Sequence, residues 1–128
     1  MILDTSAILA VFFREPERDE FLRKIGAATT VGVGAPTLAE TAIVLASELG
    51  EAGPRQLGRI VERANLVVVS FDAPHWQVAA EAWLRFGKGR HEAALNFGDC
   101  LAYATARLAG QPLLCKGDDF SKTDLALA

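Results

Sequence analysis

Among the 16 Asp and Glu residues of this 128-residue chain, a few stand apart from polar, solvent-facing stretches. Asp4 ends the apolar run Met1-Ile2-Leu3. Glu40 shares a helical side with Ile43, Val44 and Ser47, in a stretch nearly uncharged until Glu48. Asp99 lies on one helical face with Ala102, Tyr103 and Ala106, and Asp118 and Asp119 follow the apolar run Leu113-Leu114-Cys115. Each has an ordinary reading: a cap, a complement to a helix dipole, a turn. Gathered together they would do something else. Clustered carboxylates repel and raise one another's pKa unless a cation joins them, and all-oxygen donors suit a hard ion such as Mg²⁺ or Mn²⁺. Such an ion activates water and stabilises a phosphoryl oxyanion, which is the chemistry of metal-assisted phosphodiester cleavage.

Other groups invite weaker readings. The hydroxyl of Thr5 or Ser6 can serve such a site or cap the following helix. Arg85, Lys88, Arg90 and His91 lie in a short stretch without an acid, so Lys88 and Arg90 are candidates to hold the phosphates of a substrate. His91 is not needed as a base, because metal-bound water already ionises readily. Trp76 and Trp83, seven residues apart, read as core or interface packing rather than base stacking, and Cys100 and Cys115 as small buried hydrophobes. Phe12 and Phe13 are candidates for a subunit contact or for the core. The other acids, including Glu15, Glu17, Asp19, Glu20, Glu51 and Glu62, read as solvated helix faces.

Such a site needs elements that bring distant segments to one rim. Met1–Leu3 reads as a strand, Ala7–Phe13 as a helix, and the stretch after Pro16, with Phe21, Leu22 and Ile25, as another. Thr29–Val33 is β-branched and ends at Gly34. A helix follows from Pro36 to Leu49 with Gly50 beyond it, then one from Gly53-Pro54 to Ala64. Leu66–Val69 predicts a strand covered on both faces. Asp72 caps a helix to Phe86, glycines loosen the segment 87–91, a helix spans Phe97–Ala109, and Leu113–Cys115 is the last strand. This alternation predicts a single α/β domain with a short, mostly parallel sheet flanked by helices, with functional groups at the carboxyl ends of strands.

Composition sets bounds. With 13 Lys and Arg against 16 Asp and Glu, the formal charge of −3 excludes a strongly basic nucleic-acid coat. Two cysteines outside any zinc spacing suit a reducing, cytoplasmic setting. No stretch has the ~20 apolar residues of a membrane span, and the amino terminus reads as structure rather than as an address.

Met-Ile-Leu-Asp-Thr-Ser-Ala at 1–7, Glu40, Asn-Phe-Gly-Asp-Cys-Leu-Ala-Tyr-Ala at 96–104 and Lys-Gly-Asp-Asp-Phe-Ser-Lys-Thr-Asp at 116–124 together resemble a PIN-domain ribonuclease of the VapC toxin type, over essentially the whole chain. The resemblance implies a divalent-metal-dependent endoribonuclease, with Mg²⁺ or Mn²⁺ as cofactor and water as nucleophile. It further implies a homodimer and a cognate VapB-type antitoxin. Asp4 and Asp99 match the direct ligands, and Glu40 a ligand or the orienter of the water. The fourth acid falls to Asp118 or Asp119, with Asp118 favoured. Two rivals remain. One is a silent PIN-like module that only binds a protein partner; the other is a receiver-like or phosphatase-like domain in which Asp4 is phosphorylated and Lys116 clamps the phosphoryl group.

Overall fold

The computed structural model describes residues 1–128. Strands β1 (Ile2–Leu3), β2 (Gly32–Gly34), β3 (Val67–Val69) and β4 (Leu113–Leu114) form one sheet in the order β3-β2-β1-β4, and every pairing is parallel. Helices α1 (Thr5–Phe12), α2 (Arg18–Ala27), α3 (Ala35–Leu49) and α4 (Ala52–Arg63) precede β3. Helices α5 (Ala73–Phe86) and α6 (Phe97–Ala109) separate β3 from β4, and a 3₁₀ turn spans Phe120–Lys122. The expected α/β architecture is present, with strand limits within three residues of those read in the sequence.

Side chains alternate across a strand, so two-residue strands still serve two layers. Ile2 and Leu113 enter the core under α5 and α6, with Phe86, Leu95 and Tyr103. Leu3 and Leu114 enter the core under α1 to α4, with Ile8, Phe21, Val33, Leu45 and Leu57. β4 would be an open edge, but the C-terminal segment returns to cover it: the Leu113 amide donates to Ala126 O and the Ala128 amide to Leu113 O, each at 2.9 Å.

At the other edge the expectation fails. Val67 and Val68 are 48% and 49% exposed, because β3 is an edge strand and not a covered central one. An uninterrupted valine run has no alternation to distinguish the two cases. Trp76 and Trp83 likewise lie outside the core. With Phe71, Ala79, Ala80, Phe97, Cys100 and Leu101 they line an apolar hollow of about 430 Å³, and Trp76 is 60% exposed.

Candidate active site

In the sheet order, β1 lies between β2 and β4, so the residues that follow these three strands share one rim. Asp4 follows β1, α3 starts directly after β2, and the segment from Cys115 to the 3₁₀ turn follows β4. The first turn of α6 reaches the same place. Gly98 shows how closely: a Cβ there would lie 2.6 Å from both Glu40 carboxylate oxygens. Only a glycine lets the Glu40 carboxylate rest on the start of α6.

Each of three acids is held by one oxygen and keeps the other uncommitted within the chain. Asp4 is 5% exposed and caps α1, its Oδ2 accepting from the Ser6 amide at 3.0 Å and the Ser6 hydroxyl at 2.6 Å. Asp99 forms a reciprocal capping box with Asn96: its Oδ2 accepts from the Asn96 amide and its own amide donates to Asn96 Oδ1, both at 2.9 Å. Glu40 Oε2 accepts from the Thr5 hydroxyl at 2.9 Å. Capping and site chemistry are therefore not alternatives here, because a carboxylate has oxygens for both. Thr5 and Ser6 are not the cap, which is Asp4; their hydroxyls donate to Glu40 and to Asp4.

The electrostatics report the crowding. Burial, opposed by the Asn96 amide bond and aided by the charges of Asp4, Asp119 and Glu40, pushes the Asp99 carboxyl up to about 6. The half-buried Cys115 thiol is pushed up to about 12, chiefly by burial and then by Asp4, Asp99 and Asp119. The charge of Asp119 acts on both groups. Asp119 precedes the 3₁₀ turn, whereas the Asp118 carbonyl takes the Ser121 hydroxyl.

No three acidic, histidine or cysteine side chains stand close enough together to enclose an ion by themselves. Mg²⁺ does not require that, since it keeps several waters and is bound through one or two carboxylates. A set of carboxylate oxygens in which the half-buried Asp99 is already pushed toward protonation matches a hydrated hard cation.

The basic candidates are placed apart from the acids. Arg90 lies over the Trp83 ring at 4.9 Å and donates to the Leu84 carbonyl, while Lys88 is exposed and its amide bonds to Leu95 O. Arg85 pairs with Asp124 at 2.9 Å. Lys116 is engaged by Glu15 and by Glu17, so its ammonium is not free to clamp a phosphoryl group on Asp4. The Lys116 amide, however, donates to Ser6 Oγ at 2.9 Å and ties the end of β4 to the Asp4 cap.

Sequence reasoning missed Thr37 and Thr41. Both are buried in α3; Thr41 Oγ1 donates to Thr37 O at 2.7 Å and lies 3.3 Å from Thr5 Oγ1. Their spacing with Glu40 was the available signal. Thr37, Glu40 and Thr41 fall at i, i+3 and i+4, a polar stripe on an apolar helix.

A family model for the PIN domain matches residues 1–125. Ribonuclease VapC of Mycolicibacterium smegmatis is 41% identical over 126 residues, covering 98% of both chains. Ribonuclease VapC36 of Mycobacterium tuberculosis is 45% identical over 126 residues, covering 98% of this chain and 91% of the relative. Among solved structures, M. tuberculosis VapC20, described as a sarcin–ricin loop cleaving toxin, superposes with a TM-score of 0.80 at 20% identity, covering 99% of this chain and 97% of that one. The toxin–antitoxin complex VapBC2 from Rickettsia felis, bound to a fragment of its promoter DNA, gives a TM-score of 0.78 at 17% identity, with 99% and 96% covered. The acids at the rim and these full-length matches agree, and the chain belongs to the PIN-domain family, among its VapC members.

Proposed function

We propose that this chain is a divalent-metal-dependent endoribonuclease and the toxin of a VapBC-type pair, with Asp4, Glu40, Asp99 and Asp119 forming its ion site. The observation that carries the reading is the convergence of four acids from four separate segments, three of them with one oxygen clamped and one left over. A protein-binding surface has no need of such crowding. Of Asp118 and Asp119, this reading takes Asp119 as the fourth acid, on the support of its charge acting on Asp99 and Cys115.

The ion, when bound, would acidify water and neutralise charge on the phosphoryl oxygens. Mg²⁺ fits the donors, and Mn²⁺ can substitute. The chain's own contribution is positional. Asp4 and Asp99, each fixed through Oδ2, would have Oδ1 left to hold the ion. Glu40, anchored through Oε2, would have Oε1 left to hold the ion or to orient the attacking water. Lys88 and Arg90 supply positive charge for flanking RNA phosphates, at a distance from the acids.

The reading includes a cognate VapB-type antitoxin, a homodimer and a cytoplasmic setting. No helix is long and apolar enough to cross a membrane. Ribonuclease function in the named relatives supports the substrate class. The test is cleavage of a mixed RNA pool by purified protein with Mg²⁺, with Mn²⁺ or with EDTA, beside an Asp4→Asn, Asp99→Asn double variant. Metal-dependent fragments that vanish in the variant are expected. Absence of both cleavage and metal binding would instead favour the silent partner-binding module.

A further inference from the structure

Apart from Asp4, the buried polar residues of this protein are four threonines, Thr5, Thr37, Thr41 and Thr105. The hydroxyls of two of them, Thr5 and Thr41, form with the main-chain carbonyl of Thr37 a hydrogen-bonded chain that leads to Glu40. Counting protons along it gives the chain a direction. Thr5 and Thr41 each bring one hydroxyl proton. The oxygens within reach are Glu40 Oε2 at 2.9 Å from Thr5, the Thr37 carbonyl at 2.7 Å from Thr41 and 3.5 Å from Thr5, and the two hydroxyl oxygens, 3.3 Å apart. The shortest bonds use both protons: Thr41 donates to the Thr37 carbonyl and Thr5 donates to Glu40. The Thr5 proton goes to the carboxylate, the nearer acceptor and the charged one.

We propose that Thr41 is a positioning residue for Glu40, acting through Thr5 and touching neither substrate nor ion. Thr41 is fully buried, at 0% exposed, so its hydroxyl has no solvent role. Its bond to the carbonyl four residues back is a local one that a helix does not require. What the hydroxyl adds is a polar contact at 3.3 Å from Thr5 Oγ1 that steadies the rotamer from which Thr5 donates to Glu40. Without it, a swing of Thr5 toward the Thr37 carbonyl, 3.5 Å away, is no longer opposed, and the bond that fixes Glu40 Oε2 is held less firmly. The carboxylate would then be held only by its contact with the first turn of α6 at Gly98.

The inference rests on the assignment of Glu40 to the ion site, and the experiment separates the two. Thr41→Val keeps the branched shape and removes the hydroxyl; Thr41→Ser keeps the hydroxyl. Mn²⁺ binding is measured by calorimetry for the native protein, Thr41→Val, Thr41→Ser, Glu40→Gln and the Thr41→Val, Glu40→Gln double variant, with melting in EDTA as the folding control. Thr41→Val is expected to weaken Mn²⁺ binding three- to tenfold with its melting temperature little changed, and Thr41→Ser to bind as the native protein does. Adding Thr41→Val to Glu40→Gln should cause no further loss, because Thr41 acts only through that carboxylate. Native-like binding by Thr41→Val, beside weakened binding by Glu40→Gln, would overturn the positioning role alone. So would an undiminished Thr41→Val effect in the Glu40→Gln background. Native-like binding by Glu40→Gln would overturn the assignment of Glu40 itself, and this inference with it.

Discussion

Replacing Asp99 with Asn should make the metal-free protein more stable at neutral and alkaline pH. In the folded chain the Asp99 carboxyl is pushed up to about 6 from an ordinary value of 3.8, first by burial and then by Asp4, Asp119 and Glu40. The folded state therefore binds this proton more tightly than the unfolded state does. Stability from this group is fully present below the unfolded value of about 3.8 and is lost as pH rises through about 6. At 1.36 kcal/mol per pH unit the full difference is at most about 3 kcal/mol. The side chain is partly open to solvent, and screening reduces this to about 1–2 kcal/mol. Asn keeps an acceptor oxygen for the Asn96 amide, so the capping box survives the change and the charge alone is removed. Urea unfolding in EDTA should place Asp99→Asn about 1–2 kcal/mol above the native protein at pH 8, with the gap closing toward pH 4. Asp99→Ala should gain less, since it also loses the bond to Asn96. An Asp99→Asn variant less stable than the native protein at pH 8, or a gap independent of pH, would refute the account of a carboxylate crowded by other carboxylates.

Three further outcomes follow from the same geometry. Gly98→Ala should melt in EDTA no lower than the native protein, since alanine is the better helix former by about 1 kcal/mol. Its Cβ would nevertheless displace both Glu40 oxygens, so RNA cleavage should fall tenfold or more; unchanged cleavage would remove Glu40 from the site. Asp119→Asn should impair Mn²⁺ binding and cleavage while Asp118→Asn does not, and the reverse pattern in calorimetry would restore Asp118 as the fourth acid. Mg²⁺ at a hundred times its Kd should stabilise the native protein by about 2.7 kcal/mol, read as a rise in melting temperature. An Asp4→Asn, Asp99→Asn variant should show no such rise, and an equal rise in both would place the ion elsewhere.

Most of the fold was legible because its signals are local. Pro36 and Gly50 bracket α3, Asn96 caps α6, and apolar runs mark the four strands. Where the signal was not local, the reading slipped. Nothing in Val67–Val69 tells an edge strand from a central one, since that depends on which segment pairs beside it. The last residues carry no strand pattern either, yet Leu127 bridges to Leu113 and closes the β4 edge. Trp76 and Trp83 have the spacing of a buried stripe. They stay exposed because α5 lays Ala79, Ala82 and Phe86 toward the core instead.

The sequence by itself determined the chemistry available to this protein: acids placed after apolar runs, hydroxyls beside Asp4, and a family pattern running the length of the chain. Those are properties of residue type and order. Only the tertiary structure decided which of those groups meet. It brought the charge of Asp119 to bear on Asp99, turned Lys116 to Glu15 and Glu17, left Arg90 on Trp83, and set Glu40 against Gly98 with its Oε2 on the Thr5 hydroxyl. The physical reason is that a carboxylate's strain, a hydroxyl's choice of acceptor and a cation's partner depend on distances of a few ångströms between segments more than 100 residues apart, as in the 101-residue separation of Lys116 and Glu15. Parallel strand pairing sets those distances, and no local pattern encodes them.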